Sequence, residues 1–221
     1  MGLLLFLLFT TVCISSIYIV HKYFGKHEFY LLGIIYTILS FFMSFKLINV
    51  FGMDINPSII FTSGLFMIIY YFINRYDENE YKRFICLILV TSLVCNLFLL
   101  STSLMIPSIY DRSSNLYYSL IFDNFIIFIL YPITLFITSL LCAYSFKNLI
   151  DEKKNKNIKL CTAITGLMFI DSFMFIYFSY AVLIRFDKAL LIAGSNYFIK
   201  SIIMIIYMFI INRIFKVKKV K

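Results

Sequence analysis

Seven apolar runs, each near the length of a bilayer-crossing helix, divide this chain and leave little else. A helix needs about 20 mostly apolar residues to cross the hydrocarbon core. Runs of that kind fall at 2–20, 29–51, 58–74, 84–106, 125–146, 160–184 and 189–212. The third is short, and the seventh is interrupted by Gly194, Ser195, Asn196 and Lys200. Pro57 and Pro107 punctuate connections, and Pro132 lies inside the fifth run, where it would kink a helix. The chain is 62% hydrophobic and 14% charged, whereas a soluble domain is about half apolar and a quarter charged. The expectation is an all-α integral membrane protein with about seven transmembrane helices, built as a single transmembrane domain over 1–221.

The net charge of +9 could suggest a nucleic-acid partner, but the cations flank apolar runs rather than forming a patch. Fifteen of the 20 Lys and Arg fall on alternate segments: the 21–28, 75–83 and 147–159 connections and the tail at 213–221. The other connections carry three, Arg112, Arg185 and Lys188. By the positive-inside rule the N-terminus is outside and the tail cytoplasmic. The expected location is the cell membrane. The first run has its cations after it, at Lys22 and Lys26, and no A-x-A-like site, so it reads as a membrane helix and not a cleaved signal. Trp is absent. Tyrosines must then supply any interfacial aromatic belt, with Tyr18, Tyr23, Tyr30, Tyr110, Tyr117 and Tyr118 as candidates.

Three ionisable residues remain inside the runs: Lys46, Asp171 and Lys200. A charge at the centre of a membrane helix costs about 2.5–3.5 kcal/mol on insertion scales, and such residues usually pair or line a pathway. Asp171 is near the midpoint of its run, in LMFIDSFMFI. Lys46 stands five residues from the outer end of its run, about 8 Å deep at about 1.5 Å per residue, within snorkelling reach. Lys200 lies twelve residues in if its helix starts at Ala189, and is an interfacial anchor if the helix starts later. A direct Asp171–Lys200 pair would offset both desolvation costs with no function at all.

No H-E-x-x-H, P-loop or nucleophile elbow is present, so the chain reads as a non-enzyme. His21 and His27 share one loop, and Cys13, Cys86, Cys95, Cys142 and Cys161 lie in or beside apolar runs without metal-ligand spacing. No metal or cofactor is expected. The acids Asp77, Glu78 and Glu80, and Asp151 and Glu152, read as solvated faces beside basic partners. Ser139-x-x-x-Ala143 is a small-xxx-small pattern that permits close helix packing.

With MGLLLFLLFT, IYIVHKYFGKHEFY, YTILSFFMSFKLINVFG, TGLMFIDSFMFIYFSYA and YFIKSIIMIIYMFI in view, the chain resembles the queuosine precursor transporter family, also called the vitamin uptake transporter family. The resemblance implies a bundle like the substrate-binding membrane component of energy-coupling-factor transporters, with an extra N-terminal helix. Lys46, Tyr76, Ser139, Asp171 and Lys200 match positions that the family's pattern holds. Elsewhere the chain departs. Tyr70, Asn74 and Asp77 stand where the family shows Asp, Glu and Gly. Met168 stands for a Gln, Tyr207 for an Asp, and Phe41 and Met43 for amide residues.

The resemblance implies uptake of a small vitamin-like or 7-deazapurine solute, bound by Asp171, Lys46 and Lys200 with Asn74, Tyr70 and Tyr207 around them. A 7-deazaguanine offers an N–H and an amino group to one carboxylate as a bidentate pair, and its carbonyl takes a donor such as lysine. Partners consistent with this are the lipid bilayer, the solute, and a cytoplasmic coupling module or a second copy of the chain. Nucleic acid is not among them. The alternative is a non-transporting membrane protein of the same fold with a decayed pocket, acting as an accessory. In a decayed pocket Asp171 and Lys200 pair directly and leave no cavity. In a carrier they line one.

Overall fold

The computed structural model describes residues 2–106, 114–150 and 156–214. Tyr110, Arg112, Asp151, Glu152 and the tail from 215 onward lie outside them. The elements run α1 (Gly2–Tyr23), α2 (Lys26–Met43), β1 (Ile48–Val50), β2 (Met53–Ile55), α3 (Ile59–Arg75), α4 (Glu78–Leu104), α5 (Ser114–Phe122), α6 (Phe125–Ile150) and α7 (Lys156–Asp171). The chain then continues through a π-helical stretch, Ser172–Tyr177, into α8 (Phe178–Tyr180), and ends in α9 (Phe186–Ile214). The protein is a multi-pass all-α membrane protein in its main architecture. Five of the described helical segments are long and apolar enough to cross a bilayer: α1, α4, α6, α7 with its continuation, and α9.

The centre of the bundle is α3. Every residue from Ile59 to Phe72 is buried, as expected of a helix that is hydrophobic all round. It packs against α2, α6, α9, α1 and α4. At 17 residues it is short for a crossing, but its flanks are protein and not lipid. Close approach requires glycine at two contacts. A Cβ on Gly33 of α2 would sit 2.2 Å from the Phe84 ring, and one on Gly64 of α3 would sit 2.5 Å from the Tyr36 ring.

Two features correct the purely helical expectation. The second run does not stay helical to 51. The helix stops at Met43, and the apolar residues beyond it form a β-hairpin with Ile48 opposite Ile55, Asn49 opposite Asp54 and Val50 opposite Met53. Its two-residue turn puts Phe51 at φ 56° and Gly52 at φ 78°, the positive-φ pair that a tight hairpin of this hand demands. Lys46 therefore sits in the link between α2 and β1, exposed, and not inside a span. The sixth run is also not one regular helix, because the π-helical stretch begins directly after Asp171.

Pro132 is accommodated inside α6. Proline has no N–H, so the carbonyl four residues earlier, that of Phe128, loses its helical donor. Asn96 of α4 supplies a replacement, its Nδ2 donating to the Phe128 oxygen at 2.9 Å.

The end of the bundle opposite the hairpin carries an ionic cluster. Glu80 meets Lys26 at 2.8 Å and accepts from the Tyr30 hydroxyl at 2.8 Å, and Glu78 meets Lys147 at 2.6 Å and Lys82 at 2.8 Å. These contacts join α2, α4 and α6 and fit the reading of Glu78 and Glu80 as acids beside basic partners. Lys22 lies over the exposed rings of Tyr18 and Tyr23.

Candidate functional site

Lys200 lies fourteen residues from either end of α9, about 21 Å of helix each way at about 1.5 Å per residue. That is beyond snorkelling reach, and α9 begins before Ala189, not after it. Its ammonium forms an ion pair with Asp171, at the junction of α7 and the π-helical stretch. Lys200 is 2% exposed and Asp171 8%. The Phe66 ring of α3 covers the ammonium, centroid to Nζ 5.0 Å, adding a cation–π contact in a dry setting.

Beside the pair is a narrow gap whose walls are partly apolar, from Ile59, Leu135, Phe175 and Ile176. Its polar walls come from Ser58 just before α3, Thr62 of α3, Tyr131 and Thr134 of α6, and Ser172, with Asp171 and Lys200. Its volume is about 10 Å³, room for about one water molecule and far too little for a heterocycle. Tyr131 is held by a hydrogen bond to Ser40 of α2 and packs edge-on against Phe175, centroids 5.6 Å apart. The Ser172 hydroxyl has no hydrogen-bond partner among the described residues, and the same is true of buried Ser63, Ser139 and Ser201. Buried polar atoms are satisfied in the great majority of cases, and of these four serines Ser172 is the one that lines the gap. A π-helical stretch inside an α-helix is also frequent at functional sites.

The structure brings Asp171 and Lys200 together and places the other expected site residues elsewhere. Tyr70 and Asn74 lie eight and twelve residues beyond Thr62 along α3, about 12 and 18 Å down the axis and turned by about 80° and 120° around it. Phe66 intervenes. Tyr70 packs on Phe146, with centroids 5.1 Å apart, and Asn74 Nδ2 donates to the Tyr70 carbonyl at 2.7 Å. Tyr207 is two turns beyond Lys200 on α9, fully buried. Lys46 lines a different hollow of about 190 Å³, with Phe6, Phe9 and Phe61 among its walls.

Sequence reasoning missed Ser58, Thr62, Tyr131, Thr134 and Ser172 as lining groups. A signal existed for two of them: Ser58 and Thr62 are hydroxyls four residues apart at the head of the third apolar run, one face of a helix.

In comparison with known proteins, no family model, no curated protein and no solved structure matches this chain.

Proposed function

We propose that this protein is a membrane carrier for a small polar solute, with Asp171 and Lys200 as the groups that bind it. The observation that carries the reading is the depth at which two opposite charges, Asp171 and Lys200, are placed beside the gap. In this closed arrangement they hold each other, and a solute enters only when the gap opens. The pair lies at the middle of α9, against the gap and Ser172, whose hydroxyl has no hydrogen-bond partner among the described residues. Intramembrane charges of this kind mark substrate pathways. A solute with an acceptor and a donor pair replaces each partner in turn, and a 7-deazaguanine has both. Its guanine-like edge suits the carboxylate, and its carbonyl suits the ammonium. On this reading α2 and α3 are also crossings, which gives seven spans in a bundle like that of an energy-coupling-factor substrate component. The Lys26–Glu80 end faces the cytoplasm and the hairpin faces outside, as the distribution of Lys and Arg indicates.

A second reading has a specific observation in its favour. Asp171 and Lys200 pair directly, and the gap beside them is not ligand-sized. That is the arrangement expected of a non-transporting protein of the same architecture, acting as an accessory.

The test is uptake of labelled 7-aminomethyl-7-deazaguanine by cells unable to make or import it. The comparison is the wild-type chain against Asp171→Asn at equal expression. Uptake lost in the variant supports the carrier and its solute class. No uptake by the well-expressed wild type favours a different solute or the accessory role, and a second panel of small polar solutes separates those two.

A further inference from the structure

At the hairpin end of the bundle several stretches of chain cross the same three levels in the same order. The first level is an open cavity of about 570 Å³, whose lining includes Leu47, Asp54, Ile184, Lys188 and Ser195. The third is the gap at Asp171 and Lys200. Between them is a layer of hydrogen bonds centred on Asn56. Leaving β2, the chain passes Asp54, Asn56 and Ser58, one for each level. Along α9 it passes Lys188 and Ser195, then Asn196, then Lys200. Back from the α8–α9 connection it passes Ile184, then Tyr180, then Ile176 and Ser172. The end of α2 gives Leu47 in the cavity and Ser44 in the layer.

Every polar group of Asn56 is engaged. Its backbone N–H donates to Asn196 Oδ1 at 2.9 Å. Its Nδ2 donates to the Ser44 carbonyl at 2.7 Å and to the Tyr180 hydroxyl oxygen at 3.4 Å. Its Oδ1 accepts from the Ser58 N–H at 2.9 Å, the Asx turn that opens α3. The Tyr180 hydroxyl donates to the same Ser44 carbonyl at 3.3 Å. Asn56, Ser44 and Asn196 are fully buried, and Tyr180 is nearly so. Four elements thus meet through neutral hydrogen bonds, which can be exchanged for water, beside the buried apolar side chains of Ile55, Ile59 and Ile192.

We propose that the cavity is an outer vestibule of the solute site and that the Asn56 layer is its gate. The solute is small, with one anionic or acceptor end and one cationic or donor end. That chemistry repeats at both levels. Asp54 and Lys188 face the vestibule, and Asp171 and Lys200 face the inner gap. The proposal rests on the carrier reading for the inner site, but its test does not measure transport.

The test is the rate at which water-soluble methanethiosulfonate reagents label single introduced cysteines in the full-length, detergent-solubilised chain, with labelling of the parent subtracted. Ser195→Cys reports the vestibule and Thr62→Cys the inner gap. Ser195→Cys labels rapidly and Thr62→Cys slowly. Adding Asn56→Ala raises the Thr62→Cys rate about tenfold or more, the range expected when a minor open state becomes dominant, and leaves Ser195→Cys unchanged. Tyr180→Phe combined with Asn196→Ala tests the same layer if Asn56→Ala does not fold. Rapid labelling of Thr62→Cys with the layer intact, or no acceleration when it is broken, overturns the gate. Cationic and anionic reagents label Ser195→Cys at similar rates, and a strong preference for one sign overturns the two-ended solute. A working gate with uptake indifferent to Asp171→Asn overturns the carrier reading alone.

Discussion

Lys200 meets Asp171 across the α7–α9 contact, each the other's charged partner in the middle of the bundle. Removing one member of a buried pair strands the other charge, at a cost of about 3–5 kcal/mol. Asp171→Leu and Lys200→Met are each expected to lower stability by that order. Replacing both with apolar residues is often neutral or stabilising, so the double variant should be more stable than either single one. Thermal unfolding in detergent checks this. A double variant no better than the worse single one would show that the pair is not the coupling that matters.

Asn96 compensates for Pro132. Leaving the Phe128 carbonyl without a donor costs about 1–3 kcal/mol when it is buried, and Asn96→Ala should do that. Pro132→Ala restores a backbone N–H in α6 that reaches the same carbonyl. In its background Asn96→Ala should cost much less. A double-mutant cycle in denaturant unfolding measures the difference, and equal costs in both backgrounds would refute the account.

Gly33 faces a ring that cannot retreat. Phe84 is fully buried, stacked on Phe72 at 5.0 Å and edge-on to Tyr30 at 5.7 Å. Gly33→Ala should destabilise by about 1–3 kcal/mol through overpacking. Combining it with Phe84→Leu should recover part of the loss, since the smaller side chain vacates the contact. Unfolding midpoints of the three variants decide it.

The exposed ionic contacts at the other end behave differently. Glu78 is about half exposed beside Lys82 and Lys147, and exposed pairs contribute little to stability. Glu78→Gln should shift the unfolding midpoint only slightly, and less at high salt, where the pairs are already screened. A loss as large as that of Lys200→Met would contradict this ranking.

The charges buried at mid-bundle were legible because a carboxylate within LMFIDSFMFI and a lysine within YFIKSIIMII have no alternative but a partner or a pathway. The hairpin was not legible. Leu47, Ile48, Val50 and Phe51 continue an apolar run, and short apolar stretches do not distinguish strand from helix end. That ambiguity carried Lys46 into a span. Tyr70 and Asn74 lie on the same helix as Thr62, but hydrophobic periodicity says little about which level along the axis a ligand-sized space occupies.

By itself, the sequence determined that this chain lives in a bilayer as a helical bundle, because runs this apolar have no other solvent. It also determined that Asp171 and Lys200 need compensation, because the cost of burying charge depends on depth. Only the tertiary structure decided that they compensate each other, and that Asn56 closes a layer between them and the hairpin. Hydrogen bonds between Asn56, Ser44, Tyr180 and Asn196 join residues up to 140 positions apart. No local pattern records such contacts, since they arise from how the helices pack.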